Sequence, residues 1–350
     1  MSKADLIREH PAFPWLDLDD PRGIEQFLRD HDWIEPDESV VACEKPGDGN
    51  MNLTIRVRTE SRSFIVKQAR PWVEKYDHIP APWDRADFER RFYQRVAGIA
   101  GVADRMPRLL AADAESRTLV LEDLGEAASL VSLYAGDVLD LDELRALARY
   151  LRALHDATRG KADPTFGNCA MRRLNHQHVF VVPLAADNGL KLDAFEPGLE
   201  RAAGRLRDDE EYRSLVEQTG NRYLADGPCL VHGDFFPGSW LRAADGVRVI
   251  DPEFCYFGDV ELDLGCAVAH FALAWQPRAS AAALLKLYDA AGEPAAVDAT
   301  LLARYAACEV MRRLIGVAQL PLPPRGTRRC ALLARSRRTM LDGAWELLWE

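Results

Sequence analysis

The spacing of apolar positions along the chain changes twice. In residues 22–32, RGIEQFLRDHD, Ile24, Phe27 and Leu28 recur at helical spacing, which predicts a short amphipathic helix. From Val40 the period shortens to two. Val40–Cys43, the alternating MNLTIRVRTE and the following SRSFIVKQ read as strands, the first two joined through Gly47-Asp48-Gly49-Asn50. Residues 83–98 return to helical spacing, with Phe88, Phe92 and Val96 at i, i+4 and i+8 and Asp84 placed to cap the helix. RTLVLEDLG then reverts to strand pattern. After Gly125 the texture is helical in LDELRALARYLRALHDATRG and in the Ala/Leu-rich tracts at 263–275, 280–292, 300–318 and 330–349, and only 229–254 interrupts it with short apolar runs and turns.

This order predicts an α+β protein in three parts: a helical lead-in over residues 1–39, a small lobe over 40–125 with the order β-β-β-α-β-β, and a larger, mainly helical lobe over 126–350. The length suits two domains or one domain of two lobes, and 48% hydrophobic residues supply enough apolar material for a core.

Charge narrows the partners. Forty-four Lys and Arg against 55 Asp and Glu give a net charge of −11, a poor balance for gripping a polyphosphate backbone, so nucleic acid is not expected. The charge is uneven. Residues 1–40 carry 4 basic and 11 acidic side chains, whereas 311–350 carry 8 Arg, no Lys and 3 acids. The seven cysteines make no CxxC pair and no metal spacing, and they read as small apolar residues of a reducing compartment. The N-terminal stretch lacks the apolar core of a secretion signal, and no run approaches the length of a membrane span. A cytoplasmic protein without a membrane partner is expected.

Candidate chemistry concentrates in Leu230–Phe254. His232-Gly233-Asp234 and, seventeen residues later, Asp251-Pro252-Glu253 each follow an apolar run, which sets two carboxylate stations at the ends of short strands. Phosphoryl transfer needs such a pair: one Asp to orient a hydroxyl and accept its proton, and other acids to hold Mg²⁺ against the phosphates. Upstream, the glycines of the Gly47–Asn50 turn can approach a phosphate chain closely, although the same tetrapeptide also suits a plain hairpin. Lys67 lies in the apolar strand FIVKQ, where burial is costly without a partner, and Glu89 on the next helix can supply one. A strand Lys held by a helix Glu touches the nucleotide phosphates in protein-kinase-type sites. Glycine turn, strand Lys, helix Glu, Glu122-Asp123-Leu124-Gly125, HGD and DPE follow one another in a kinase-like order.

These blocks resemble the aminoglycoside phosphotransferase and choline kinase superfamily, and within it the methylthioribose kinases. The resemblance runs from GDGNMNLTIRV through IVKQARPWV, DRADFE, LEDLG, HGDFFPGSW and VIDPEFCYFG to DLG at Asp263–Gly265 and MRRLIGVA at Met311–Ala318. Ser239, five residues after Asp234, stands where the wider superfamily has Asn, as in methylthioribose kinases, and DPE also looks like their metal motif. The resemblance implies a bilobal protein-kinase-like fold, with a small antiparallel-sheet N-lobe carrying one helix and a larger, mainly helical C-lobe. It makes Asp234 the catalytic base and Asp251 with Glu253 the Mg²⁺ residues. Asn50 and Lys67 become ATP contacts, Glu89 the residue that orients Lys67, and Glu122, Asp123 and Leu124 the hinge whose backbone binds adenine. Arg312 and Arg313 would lie by the transferred phosphoryl or the acceptor. A homodimer is also implied.

The resulting expectation is an ATP- and Mg²⁺-dependent kinase that phosphorylates 5-methylthioribose at its anomeric hydroxyl, a step of methionine salvage. Other acceptors stay open: 5-deoxyribose or another sugar, an amino alcohol, an aminoglycoside. So does a catalytically silent nucleotide-binding protein of kinase ancestry. The link from DPEF to the arginine pair is shorter than in methylthioribose kinases, and KYDHIPAPW at 75–83 and QLPLPPRG after the arginines depart from their pattern. His155 and His270 read as packed histidines, Trp72 and Trp83 as core or as walls of an apolar pocket, and Arg325 to Arg338 as a solvated helix face.

Overall fold

The computed structural model describes residues 3–47, 49, 51–292, 296–323 and 328–350. The chain divides into two compact units, Met1–Gly98 with Met106–Glu126, and Ile99–Arg105 with Ala127–Glu350.

The first unit contains helices α1 (Lys3–Glu9) and α2 (Pro21–Asp30), strands β1 (Val40–Glu44), β2 (Leu53–Thr59), β3 (Ser63–Gln68), β4 (Trp72–Val73) and β5 (Tyr76–Pro80), helix α3 (Arg85–Val96), and strands β6 (Leu109–Asp113) and β7 (Thr118–Glu122). Five strands form one antiparallel sheet in the order β1-β2-β3-β7-β6. Alternation along β2 and β3 turns Ile55, Val57, Phe64 and Val66 into a core shared with Leu16, Ile24, Phe27, Leu28 and Ile34. The N-terminal residues are thus part of this unit's core. Pro21 and the Asp20 carboxylate, which accepts from Gly23 N, start α2, and its apolar stripe faces that core.

One local expectation is corrected here and another is narrowed. Asp84 makes no side-chain capping bond to α3. The first turn of α3 is tied down instead by Arg85, fully buried and bonded to Asn52 Oδ1 and to the carbonyls of Met51, Arg70 and Pro82. Trp72 is 1% exposed and stacks on Trp15 at 5.2 Å, so of its two expected roles it takes the core one. The short β4–β5 hairpin, unforeseen because Pro80 and the charged Glu74, Lys75 and Asp77 interrupt its pattern, carries part of the 75–83 segment.

The second unit comprises β8 (Ala128–Ser129), α4 (Leu141–Thr158), α5 (Cys169–His176), α6 (Leu199–Arg207), α7 (Glu210–Leu224), β9 (Cys229–Val231), β10 (Trp240–Ala243), β11 (Gly246–Val249), β12 (Tyr256–Gly258), α8 (Val260–Leu273), α9 (Arg278–Ala290), α10 (Ala299–Ile315) and α11 (Arg328–Asp342). Helix α4 begins with a reciprocal cap between Asp140 and Glu143. Helix α8 is buried almost all round, and its near-uniform apolar sequence is what a central helix requires. It approaches α10 closely at Gly265, where a Cβ would lie 2.7 Å from the Leu302 carbonyl oxygen. The solvated reading of the last arginines is corrected in part: Arg329 is 9% exposed and bonds Gln319 Oε1, and Arg337 pairs with Asp209. No helix among the described residues is long and apolar enough to cross a membrane.

Candidate active site

In the first unit, the register of β3 places Lys67 between Thr54 of β2 and Leu119 of β7, at the centre of the sheet. Its side chain is 5% exposed, and Nζ lies 2.8 Å from Glu89, whose side chain on α3 is 1% exposed. The structure therefore joins two residues that the sequence holds 22 positions apart. A buried ammonium needs this counter-charge. Residues Glu122–Leu124 follow from β7, and Asp123 is tied at 2.9 Å to Arg56. Burial pushes the Asp123 carboxyl up, but bonds from Ser63 and Arg56 outweigh it and hold the group below its ordinary value. Asp48 and Asn50 of the glycine turn lie outside the described residues.

In the second unit, β9 delivers His232-Gly233-Asp234. Gly233 has φ +84°, and a Cβ there would sit 2.3 Å from the Phe254 carbonyl oxygen, so the turn requires glycine and touches the Asp251–Phe254 turn. The Asp263 carboxylate on α8 accepts the His232 N–H at 2.8 Å and the Gly233 N–H at 2.9 Å, and His155 approaches it at 3.2 Å. His232 Nε2 lies 2.9 Å from the Ile250 carbonyl, and its Nδ1 accepts from Asp234 N at 3.4 Å. One imidazole thus ties the HGD turn to the residue before Asp251. The Ser239 hydroxyl donates to the Asp234 carbonyl at 3.0 Å.

Asp251 adopts a left-handed conformation, φ 62°, which opens the short turn Pro252–Phe254. Glu253 is buried. Asn168, also left-handed, donates from Nδ2 to the carbonyls of Glu253 and Cys255, each at 3.0 Å. Its Oδ1 is buried with no hydrogen-bond partner among the described residues. The turn carries two carboxylates, and oxygen donors of this kind suit a hard divalent cation such as Mg²⁺.

Helix α10 brings the third group. Arg313 Nη2 and Arg312 Nη2 lie 3.6 and 3.9 Å from Asp234 Oδ1, although the arginine pair is almost 80 positions from Asp234 in sequence. Both guanidiniums also hold Glu309, Arg313 Nε at 2.6 Å and Arg312 Nη1 at 3.3 Å. Arg313 lies over the Phe236 ring at 4.7 Å. Arg312 Nε and Arg313 Nη2 are buried and have no hydrogen-bond partner among the described residues. Burial raises the Asp234 carboxyl above its ordinary value, against the pull of Arg312 and Arg313. A pocket lined by Asn175, Phe180, Tyr223, Asp234, Cys266 and Arg312, among others, opens here within this unit.

Sequence reasoning passed over Glu309, Arg85, Asn168 and Tyr134. Only the EVMRR spacing, an acid three and four residues before two arginines, signalled one of them. His155 and His270 are fully buried as expected, but each bonds a carboxylate.

Solved structures with the same architecture define the fold class. A choline kinase from Streptococcus pneumoniae covers 91% of this chain and 99% of its own at TM-score 0.51 and 13% identity. A spectinomycin phosphotransferase solved with ADP and spectinomycin covers 94% and 97% at TM-score 0.52 and 14% identity. The protein has the α+β protein-kinase-like fold. The model of the phosphotransferase enzyme family matches residues 42–305, and the chain belongs to that family. Among curated relatives, a methylthioribose kinase from Exiguobacterium sibiricum is 28% identical over 251 residues, 68% of this chain and 62% of its own length. One from Bacillus cereus is 26% identical over 262 residues, 71% and 64%. The match thus spans less than two thirds of the length of these relatives.

Proposed function

We propose that the protein is an ATP- and Mg²⁺-dependent kinase that phosphorylates a hydroxyl of a small sugar-like molecule, with 5-methylthioribose, converted to its 1-phosphate, as the acceptor. The observation that carries this reading is the Asp234 carboxylate facing two buried guanidiniums that still have donors to spare. Asp234 orients the acceptor hydroxyl and takes its proton as the oxygen–phosphorus bond forms and the bond from phosphorus to the ADP oxygen breaks. Its raised pKa makes it a better base than an ordinary aspartate. Arg312 and Arg313 stabilise charge on the phosphoryl oxygens from fixed positions. Lys67, oriented by Glu89, neutralises nucleotide phosphates, Asn50 adds a donor, and the backbone of Glu122–Leu124 receives adenine. Asp251 and Glu253 would hold Mg²⁺, which supplies charge neutralisation on the nucleotide phosphates.

Cationic acceptors fit less well, because two guanidiniums beside the base repel an ammonium group. The relatives named methylthioribose kinase support a neutral thio-sugar over an amino alcohol or aminoglycoside. ADP release measured with a panel of acceptors should favour 5-methylthioribose, and preference for an aminoglycoside or choline would overturn the acceptor assignment. Asp234→Asn should lower kcat by about 10²–10⁴-fold while ATP affinity stays within about twofold. Near-wild-type turnover would remove Asp234 as the base.

A further inference from the structure

Behind the arginine pair lies a buried chain of groups that the transfer step itself does not use. The Tyr134 hydroxyl is 2.5 Å from His270 Nδ1, and His270 Nε2 is 3.0 Å from Glu309 Oε1. Tyr134, His270 and Glu309 are 1%, 0% and 6% exposed. Glu309, Arg312 and Arg313 share one face of α10 through their i, i+3 and i+4 spacing, so a single carboxylate reaches both guanidiniums.

Protonation gives the chain a direction. Burial brings His270 down to about 4, so the imidazole is neutral near pH 7. Burial alone would raise Glu309, but Arg312, Arg313 and His270 hold it well below its ordinary value, so it is an ionised, acceptor-only group. A neutral imidazole has one donor and one acceptor. His270 Nε2–H must therefore donate to Glu309, and Nδ1 must accept from the Tyr134 O–H, whose pKa burial raises well above its ordinary value. The remaining titratable groups facing the chain are Cys266 on α8 and Cys308 on α10, whose thiols burial keeps protonated, and Asp234.

Cys266, His270 and Glu309 offer ligand atoms within 4.8 Å of one another. A cation there would meet two guanidiniums already bound to Glu309 and a protonated thiol. The cluster is better read as a hydrogen-bond relay.

We propose that Glu309, fixed by the Tyr134–His270 relay, is a positioning residue that turns Arg312 and Arg313 so that their Nη2 groups face the Asp234 carboxylate and their spare N–H groups receive an anionic phosphoryl group. For its catalytic consequence the proposal rests on the phosphotransfer reading above. A carboxylate can accept from His270 and both arginines at once. A glutamine cannot, because its amide nitrogen would oppose one of those donors.

The test is Glu309→Gln, with Tyr134→Phe as a second variant that leaves every charge in place. In the intact protein, Glu309→Gln should lower kcat by about 10²-fold with the KM for ATP unchanged. Its acid limb should move to lower pH, because removing the Glu309 charge lowers the pKa of Asp234. Tyr134→Phe should lower kcat by about 3- to 10-fold without moving that limb. A folded Glu309→Gln protein with kcat within twofold of wild type and an unmoved acid limb overturns the proposal, as does an unchanged Tyr134→Phe enzyme should the first variant fail to fold. Inorganic phosphate gives a readout independent of turnover. It should raise the thermal midpoint of the wild type, and Glu309→Gln should need several-fold more phosphate for the same rise. If no acceptor is phosphorylated by the wild type, the phosphotransfer reading fails, and this phosphate shift alone decides the positioning role. Equal phosphate dependence in both proteins, or none in the wild type, overturns it.

Discussion

The two units each bury charge, and they do so differently. In the sheet unit one ammonium meets one carboxylate: Lys67 and Glu89, 2.8 Å apart on a strand and a helix. In the helical unit two carboxylates meet two guanidiniums, and the geometry leaves Arg312 Nε and Arg313 Nη2 buried without hydrogen-bond partners among the described residues. Both sets are neutral in sum. The first holds a strand ammonium against a helix carboxylate. The second holds donors in reserve, which costs free energy in an empty protein and makes sense where a further anion is to arrive. Buried charge in one unit therefore fixes a side chain, while in the other it prepares a receptor.

The sharpest way to break this contrast is to remove half of the simpler pair. Lys67→Met leaves the Glu89 carboxylate in the sheet unit without its ammonium and should destabilise the protein by about 3–5 kcal/mol in urea unfolding. Lys67→Met combined with Glu89→Leu should recover most of that loss, since well-packed apolar groups replace a buried pair at little net cost. Turnover should not recover with it. A double variant as unstable as the single one would mean that the pair contributes more than mutual neutralisation.

The arginine cluster can be probed by pH. The folded-state pKa of Glu309 is depressed, so its contribution to stability is present above its ordinary value of 4.5 and is lost as pH falls through the lower folded value. Asp234 works the other way: its raised pKa penalises the folded state as pH rises from its ordinary 3.8 through the raised value. Unfolding free energy should fall on acidification below about pH 4.5 with a slope contribution of up to about 1.4 kcal/mol per pH unit from Glu309. Glu309→Gln should lose that contribution and Asp234→Asn should not. Equal slopes in wild type and Glu309→Gln would show that the carboxylate is not held ionised by the arginines.

The same contrast explains what could be read from the chain. Lys67 and Glu89 were legible because a charged residue inside an apolar strand demands a partner, and a helix acid followed close by. Asp234 and the Asp251–Glu253 turn were legible because each acid follows a short apolar run. Asn168, Arg85 and Glu309 were not, since their work is done on distant backbone or on other side chains, and no period or turn pattern marks such a role. The strands and long helices carried their own periodicity. The β4–β5 hairpin did not, and the burial of Trp72 depended on Trp15, 57 residues away. The N-terminal helix was seen, but its membership in the sheet core depended on faces that meet only in the folded unit.

The smallest effect concerns Ser239. Its hydroxyl bonds the Asp234 carbonyl at 3.0 Å and is 2% exposed, while its own carbonyl accepts from Ile250 N at 3.0 Å, so it braces the loop between the two acidic turns. Ser239→Ala should cost about 1 kcal/mol of stability, the ordinary worth of one hydrogen bond, and lower kcat by a few-fold through a looser Asp234. A residue that only braces the loop predicts one thing more: the Mg²⁺ concentration for half-maximal activity should be the same in Ser239→Ala and wild type. A several-fold rise in that concentration would move Ser239 from the support of Asp234 to the cation itself, and the oxygen set around Asp251 and Glu253 would then have to include a hydroxyl.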